Sequence, residues 1–570
     1  MDNREIAKIF YKIGNFLEME GVSFRPQAYQ KAAFVLESMK ESVADIYKQG
    51  GLNALEQIAG VGKNLAERIE EYLKTGHIRY YEKLKKETPI EVEELIAVEG
   101  LGLKKVKKLY QELGIRNLSD LEKAAKKHKI AGLAGFGETT EKNILEGIAF
   151  LKKSKGRFLL GEIFPKVEII KKKLEKLEGV ERVDVAGSVR RMKETIGDID
   201  FLVISKKPKR VMSFFASQPE IKKIWGMGST KLSVRTKEGF DVDIRVLPKK
   251  NYGAALQYFT GSKEHNIALR RIAIEKGMKL SEYALFKKGK IIVGSSEEGI
   301  YQALGMEIIP PELRENQGEV EASLKRSLPK IIKLTDIKGD LHVHSDWDGG
   351  ENSIKEIALI SRQLGYEYIG IADHTKFLRI ENGLDEKQLT KRNREIEKLN
   401  QVQTGFRILK GAEVNILKNG SLDIKDEALK KLDFVIAGVH SNFKMAEKEM
   451  TERIIKAMKN PHVDIISHPT GRILKRRDEY EIDFDKILRA AKQFNVALEI
   501  NSYPERLDLK DRNIRLAKEA GVKMIINTDA HHISQLEYIK YGIAQARRGW
   551  AERKDILNSL PVDKLLSFFK

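Results

Sequence analysis

The sequence contains no cysteine. Disulfides, thiol nucleophiles and cysteine-ligated zinc are therefore excluded, and any bound metal must be held by histidine, aspartate or glutamate. No apolar run approaches the roughly 20 residues of a membrane-spanning helix, and the opening Met1-Asp2-Asn3-Arg4-Glu5 has no signal-like apolar core. A cytoplasmic location is expected. Acidic residues are the minority charge, 83 Asp plus Glu against 103 Lys plus Arg, for a formal net charge of +20. That balance favours a polyanionic partner such as nucleic acid over an acidic protein. No basic amphipathic anchor stands out, which argues against a membrane surface. At 570 residues the chain is too long for one core, and roughly three to five domains are expected.

The pattern changes several times along the chain. Up to about residue 150 it is of short amphipathic helices, such as Ile6 to Glu18 and Ala28 to Ser38, with few strand-like runs. From about 151, β-rich runs alternate with helices, among them Val183 to Ala186, Ile199 to Ile204 and Val242 to Val246. A helical stretch from about 250 to 285 leads to a strand-rich piece, Lys287 to Val293. The charged, proline-marked segment from Ile309-Pro310-Pro311-Glu312 to about Asp336 reads as a linker. Beyond it, apolar runs at Tyr368 to Ile371, Phe434 to Ala437, Val463 to Ile466, Ala497 to Ile500 and Lys523 to Ile526 alternate with helices. That rhythm indicates parallel βα units, for which a barrel is the natural closure.

Three acids carry the sharpest chemical signal. Gly197-Asp198-Ile199-Asp200 opens an apolar run, and Phe240-Asp241-Val242-Asp243-Ile244 echoes it downstream. Side chains alternate along a strand, so Asp198 and Asp200 share one face about 7 Å apart. A neighbouring strand with Asp243 would complete a clamp for two hard cations, an arrangement suited to in-line phosphoryl transfer. Asp-x-Asp alone is common on solvated strand faces. Here Gly187-Ser188-Val189-Arg190-Arg191 lies just upstream, offering backbone N–H groups, a hydroxyl and Arg191 to a triphosphate.

The helical region contains a loose repeat: Gly60-Val61-Gly62-Lys63, Gly100-Leu101-Gly102-Leu103, and more faintly Gly135-Phe136-Gly137. A Gly-x-Gly bend at a helix start exposes backbone N–H groups to a phosphate without reading sequence. Lys63, Lys104, Lys105, Lys107 and Lys108 add charge. One copy reads equally well as an ordinary helical corner; two good copies in a basic chain favour binding to the DNA backbone. No strand precedes either glycine pair, which disfavours a dinucleotide fingerprint, and Asn64 stands where a P-loop needs Ser or Thr.

Together these motifs resemble the family X DNA polymerases over residues 1 to about 315. The resemblance implies a nucleotidyltransferase palm and a small thumb behind helix-hairpin-helix domains. It makes Asp198, Asp200 and Asp243 the catalytic carboxylates for Mg2+ or Mn2+, with Asp243 also a candidate to activate the primer 3′ hydroxyl. It makes Ser188, Arg191 and Gly197 triphosphate contacts. Tyr258-Phe259-Thr260-Gly261-Ser262 resembles the family's sugar-proximal turn, with Tyr258, Phe259 and Gly261 beside the nucleotide, while Asn266 and Arg270 match positions contacting the incoming base and template strand. Gly60, Gly62, Lys63, Gly100, Gly102 and Lys104 become DNA contacts. One position departs: where lyase-active members carry a Schiff-base lysine, this chain has Arg68. A guanidinium stays protonated and cannot form that imine.

Eight of the eleven histidines lie beyond residue 340. His342, His344, His374, His440 and His468 follow or end apolar runs, as do Glu413, Asp529 and His531, and the strand ends of a βα barrel are where reactive groups converge. Imidazole plus carboxylate suits Zn, Mn or Fe, and a cluster of this size suits two or three ions that activate water against a phosphoester. The region resembles the PHP (polymerase and histidinol phosphatase) domain, which implies a distorted (β/α)7 barrel and metal ligands at these eight positions, with Mn2+ or Zn2+ bound. A ninth ligand of the family falls at Gly349, which has no side chain; Asp348 is one residue out of register. His462 and His532 match no family ligand.

The expected organisation is a multidomain α/β chain: two helix-hairpin-helix domains (1–80 and 81–150), an α+β palm (151–249), a thumb (250–315), a linker (316–335) and a PHP domain (336–570). The expected function is gap-filling DNA synthesis in base excision repair, acting as a monomer on gapped or nicked DNA with deoxynucleoside triphosphates. A metal-dependent 3′ to 5′ exonuclease or end-processing activity, extending to abasic-site cleavage, is expected of the PHP domain. Two alternatives stand beside it: a phosphoesterase whose palm positions DNA, and a polymerase whose PHP domain is purely structural.

Overall fold

The structure, a computed structural model, describes residues 3–569 except 23, 40, 59, 97, 99, 100, 155, 156 and 476. It divides into two compact units, one of Met1–Phe158, Ile170–Gly187 and Gly197–Ile308, the other of Leu159–Ile169, Ser188–Ile196 and Ile309–Lys570. Two short pieces of the expected palm therefore group with the C-terminal region.

In the first unit, residues up to 154 form helices and no strand among those described. The first helix, Asn3–Glu20, buries Ile6, Phe10, Ile13 and Leu17, which recur at the three- to four-residue spacing of one helical face. They join Tyr29, Leu36, Leu65, Ile69, Leu95, Val106 and Leu121 in a single core that runs through both hairpins.

The sheet of this unit has five strands: β1 (Val180–Val185), β2 (Asp198–Ser205), β3 (Ile221–Met227), β4 (Lys231–Thr236) and β5 (Asp241–Leu247). Their order is β1-β2-β5-β4-β3, with β2 and β5 parallel and the other neighbours antiparallel. Alternation is clean in β5, where Val242, Ile244 and Val246 are buried, and in the first half of β2 around Ile199 and Phe201; further along β2, Leu202, Val203 and Ile204 are all buried. The intervening acids face the other way. Helices Tyr252–Thr260 and Lys263–Glu275 follow, then a three-stranded antiparallel meander of β6 (Met278–Leu280), β7 (Leu285–Lys287) and β8 (Lys290–Val293).

The second unit is a barrel of parallel strands β9 (Gly339–Val343), β10 (Tyr368–Ile371), β11 (Arg407–Lys410), β12 (Glu413–Asn415), β13 (Ile436–Gly438), β14 (Ile465–Ile466), β15 (Ala497–Asn501) and β16 (Met524–Asn527). They form a three-stranded piece, β9 to β11, and a five-stranded piece, β12 to β16. Strands β11 and β12 are one course interrupted at Gly411, where the Phe434 ring lies 2.1 Å from where a Cβ would stand. There are thus seven strand positions, closed by parallel bridges His374↔Glu413 and Val343↔Ala530, as the distorted seven-fold barrel requires. Leu341, Tyr368, Leu409, Ile436, Ile465, Ala497 and Ile525 pack in one cluster. Their neighbours Ile369, Ile408, Ala437, Ile466, Leu498 and Ile526 pack in another with the helices, which is the two-sided burial expected of parallel strands.

The expected linker is folded. A helix, Glu319–Leu324, occupies it, with Glu319 and Ser323 fully buried. The Glu319 carboxylate accepts the N–H groups of Asn316 and Gln317 at 2.9 and 2.6 Å, tying off the preceding turn. The charge that suggested a tether is local hydrogen bonding instead.

Candidate active sites

The parallel register pairs Asp198 with Asp241 and Asp200 with Asp243. Because β2 and β5 point their alternate residues the same way, Asp198, Asp200 and Asp243 share a face, as the spacing predicts. Asp241 is held by partners of its own: Arg235 grips it at 2.9 and 2.7 Å, and Trp225 Nε1 donates to it at 3.0 Å. The other three repel one another. Desolvation, then Asp198 and Asp243, push Asp200 up to about 7. Desolvation, Asp243 and Asp241 also raise Asp198, at the strand's open end. Lys231 (3.3 Å) and Arg245 (3.9 Å) approach Asp243. Asp198 and Asp200, crowded together with Asp243 beside them, are the donor set a divalent cation relieves.

Behind this face, Gly187 sits at φ +61, and a Cβ there would lie 2.6 Å from Asp200 Oδ2. The Ala186 N–H donates to the Asp200 carbonyl at 2.9 Å, fixing the turn against the strand. Gly197 immediately precedes β2 in the same unit. Ser188 and Arg191 belong to the other unit. There Arg191 Nε donates to Glu315 at 3.0 Å, so this expected triphosphate cation is already paired.

Tyr258 and Phe259 end their helix edge-to-face, ring centres 5.1 Å apart, and Arg245 lies 4.4 Å from the Phe259 ring centre. Asn266 Nδ2 donates to the Tyr258 carbonyl at 2.7 Å and its Oδ1 accepts from Gln257 at 2.7 Å. Arg270 Nε donates to the Asn266 carbonyl at 3.2 Å. Hydrogen bonds thus tie Tyr258, Asn266 and Arg270 together across the turn at Gly261 that joins the two helices. In the hairpins, Gly62 and Gly102 cap the helices Lys63–Thr75 and Leu103–Leu113, and Gly60, Lys63 and Lys104 are exposed. Gly100 lies outside the described residues. Lys108 differs from the expectation, since its ammonium donates to the Ala134 carbonyl of the third hairpin at 2.6 Å. Arg68 stacks over the Tyr80 ring at 4.0 Å.

In the barrel, all eight expected ligands meet at the C-terminal strand ends. Glu413 is the hub: His374 Nδ1 lies 2.8 Å, His342 Nε2 3.3 Å, His440 Nε2 3.3 Å and His468 Nε2 3.0 Å from its oxygens. His344 Nε2 lies 3.3 Å from Asp529 Oδ1, and the His344 ring stacks on His531 at 4.1 Å. Burial would raise Glu413, but His342, His440 and His374 hold it well below the usual range. Burial, then Arg506, lowers His468 to about 4; burial, then His344, lowers His531 to about 4. Both rings are therefore neutral donors at pH 7. His342 Nε2, His344 Nε2, His374 Nδ1 and both His440 nitrogens are buried and make no hydrogen bond. Nitrogens converging on carboxylates without hydrogen-bonding geometry fit shared divalent ions.

Two supporting roles were not legible in the sequence, those of Glu499 and of Asp348, which reads there only as a neighbour of the missing ligand. Glu499, fully buried in β15, accepts from His342 Nδ1 at 2.7 Å and so directs Nε2 inward. Asp348 does the same for His344 at 2.8 Å. Asp373 holds Ser345 and the buried Arg392. A carboxylate inside the apolar run Leu498-Glu499-Ile500 was the available signal.

Oxygen and nitrogen donor sets of these kinds place the chain among metal-dependent phosphoryl-transfer enzymes. Comparison with known proteins narrows the class. Residues 1–78 match the helix-hairpin-helix domain, 92–149 the SAM-like helix-hairpin-helix tandem, 255–315 the DNA polymerase beta thumb and 340–503 the PHP domain. The chain is 38% identical to the DNA polymerase/3′-5′ exonuclease PolX of Bacillus subtilis (strain 168), over all of both chains. It is 43% identical over 137 residues to a probable phosphatase of Thermoanaerobacter sp. (strain X514), covering 22% of this chain and 54% of that one. A probable phosphatase of Acetivibrio thermocellus is 31% identical over 202 residues, 34% of this chain and 78% of its own. The chain belongs to the PolX family, the family X DNA polymerases that carry a PHP domain.

Proposed function

We propose that the chain fills short gaps in DNA during base excision repair, adding deoxynucleotides to a primer 3′ end, and that its PHP domain removes nucleotides 3′ to 5′ and cleaves at abasic sites. The observation that carries the synthetic reading is the register that sets Asp200 against Asp243 with Asp198 on the same face. The full-length likeness to a polymerase/exonuclease supports both activities.

Bound Mg2+ or Mn2+ at the palm would supply charge stabilisation for the transferring phosphate. Asp198, Asp200 and Asp243 are its holders, and Asp243 accepts the primer hydroxyl proton. Ser188, Arg191 and Gly197 are assigned to the triphosphate on their motif. Tyr258, Phe259 and Gly261 crowd the sugar; Asn266 and Arg270 face base and template. The exposed hairpins, with Gly60, Gly62, Lys63, Gly102 and Lys104, grip backbone phosphates of gapped or nicked DNA. In the barrel, His342, His344, His374, Glu413, His440, His468, Asp529 and His531 hold Mn2+ or Zn2+. Glu499 and Asp348 keep the two ligand imidazoles in one tautomer. We assign the chain to the cytoplasm as a monomer; no helix among the described residues is long and apolar enough to cross a membrane.

Primer extension and 3′ to 5′ degradation on gapped DNA, compared between Asp198→Ala and His344→Ala, test the assignment. Extension should vanish in the first with degradation intact, and the reverse in the second. Extension surviving Asp198→Ala refutes the palm site. Absence of metal-dependent degradation in the parent would favour a structural PHP domain.

A further inference from the structure

The ligand position at Gly349 has no side chain, and Asp348 does not replace it. Its Oδ2 accepts from His344 Nδ1 at 2.8 Å and from the His374 N–H at 2.7 Å, and its Oδ1 accepts from the Gly350 N–H at 3.0 Å. The carboxylate facing Gly349 comes from elsewhere in the chain. A Cβ built on Gly349 would stand 2.3 Å from Glu381 Oε2. Carbon–carbon and carbon–oxygen bond lengths place an aspartate's own oxygens about 2.4 Å from its Cβ. Glu381 thus sets an oxygen at the radius an aspartate at 349 would reach.

Two further observations point the same way. Glu381 ends a short helical turn, Arg379–Glu381, in the loop after β10. Both ends of that loop are pinned beside a ligand, because the Leu384 N–H donates to the His374 carbonyl at 2.8 Å and Thr375 bridges Leu384. Its carboxylate has no hydrogen-bond or ion-pair partner among the described residues. Elsewhere at these strand ends, ligand atoms of His344, His374 and His531 lie within 4.8 Å of one another. The turn containing Gly349 is tied to all three: Asp348 holds His344 and His374, and the Glu351 N–H donates to the His531 carbonyl at 2.8 Å. Asp529 Oδ1 lies 3.3 Å from His344 Nε2 and Glu413 Oε2 2.8 Å from His374 Nδ1, so carboxylates already border the group, and hard and borderline cations take up a further anionic donor readily.

We propose that Glu381 is a further anionic ligand of the His344/His374/His531 group, supplied from the neighbouring loop in place of the side chain missing at Gly349. This rests on the barrel cluster being a divalent-cation site. Gly349 does not have positive φ, so an aspartate there is tolerated once Glu381 is shortened.

The test is metal content and affinity of the full chain, by elemental analysis after Mn2+ equilibration and by Mn2+ titration calorimetry. Glu381→Ala should hold one Mn2+ fewer per chain, or bind its weakest ion about tenfold less tightly or worse. Gly349→Asp combined with Glu381→Ala should recover it. Stoichiometry and affinity unchanged in Glu381→Ala, or loss without recovery in the double variant, overturns the assignment. His344→Ala separates the two levels of the argument: if it binds Mn2+ like the parent, the cation-site reading itself fails.

Discussion

Gly187→Ala is the substitution whose consequence the palm geometry fixes most narrowly. It involves two separate penalties. Gly187 adopts φ +61, and a non-glycine residue in the left-handed region costs about 1 kcal/mol, which falls on stability. The added Cβ would also lie 2.6 Å from Asp200 Oδ2. An ordinary carbon–oxygen contact is at least about 3.3 Å, so the carboxylate or the turn must give by roughly 0.7 Å. The backbone cannot absorb this easily, because the Ala186 N–H is hydrogen-bonded to the Asp200 carbonyl and β2 is paired on both sides. The shift falls on the metal-facing carboxylate. Since misplacement by about 1 Å can cost 10²-fold, primer extension should fall about 10- to 100-fold, or about 1.4 to 2.7 kcal/mol of barrier. Single-turnover extension across a one-nucleotide gap reads that loss, and degradation of a 3′ end by the same preparation is the internal control. Extension at the parental rate, with a melting temperature lowered only by the conformational penalty, would refute the tie between this turn and the carboxylate cluster.

The palm also carries a pH signature. Asp200 is raised to about 7, above its unfolded value near 4, so its stabilising contribution is fully present below about pH 4 and lost as pH rises through about 7. In chelator, melting of the parent relative to Asp200→Asn should decline across that window, and Mg2+ should suppress the decline. Glu413→Gln removes the charge that four imidazoles surround. It should lower Mn2+ affinity and exonuclease rate about 100-fold or more, with extension unaffected, as paired assays would read. Removing both exposed hairpin cations, Lys63→Gln with Lys104→Gln, should weaken DNA binding independently of sequence. The slope of log affinity against log salt should shrink by about 2, measured by fluorescence anisotropy.

What the sequence reveals follows from where each interaction is decided. Strand periodicity is local, so two acids two residues apart disclosed their shared face. Asp243 was legible only through its echo of the first motif, and the parallel register then set it directly against Asp200. The barrel ligands were legible for the same reason, since a histidine after an apolar run sits at a strand end whichever helices surround it. Pairings across long separations left no such mark. Arg191 reads as a free cation beside a glycine turn, yet Glu315, 124 residues on, receives its Nε, and Arg548 and Lys193 reach the same carboxylate at 3.1 and 3.6 Å. Burial opposes that carboxylate's charge, but Arg548, Arg191 and Lys193 keep Glu315 below its usual range. The same closure assigns Ser188–Ile196 to the barrel's compact unit while the acids of β2 stay with the other. Gly349 is the sharpest case. Read along the chain, it is a missing ligand; in the folded barrel, a loop pinned at His374 brings the Glu381 carboxylate to the space beside it. A strand-end site is filled from several βα loops, so a gap in one loop's motif does not establish a gap in the site.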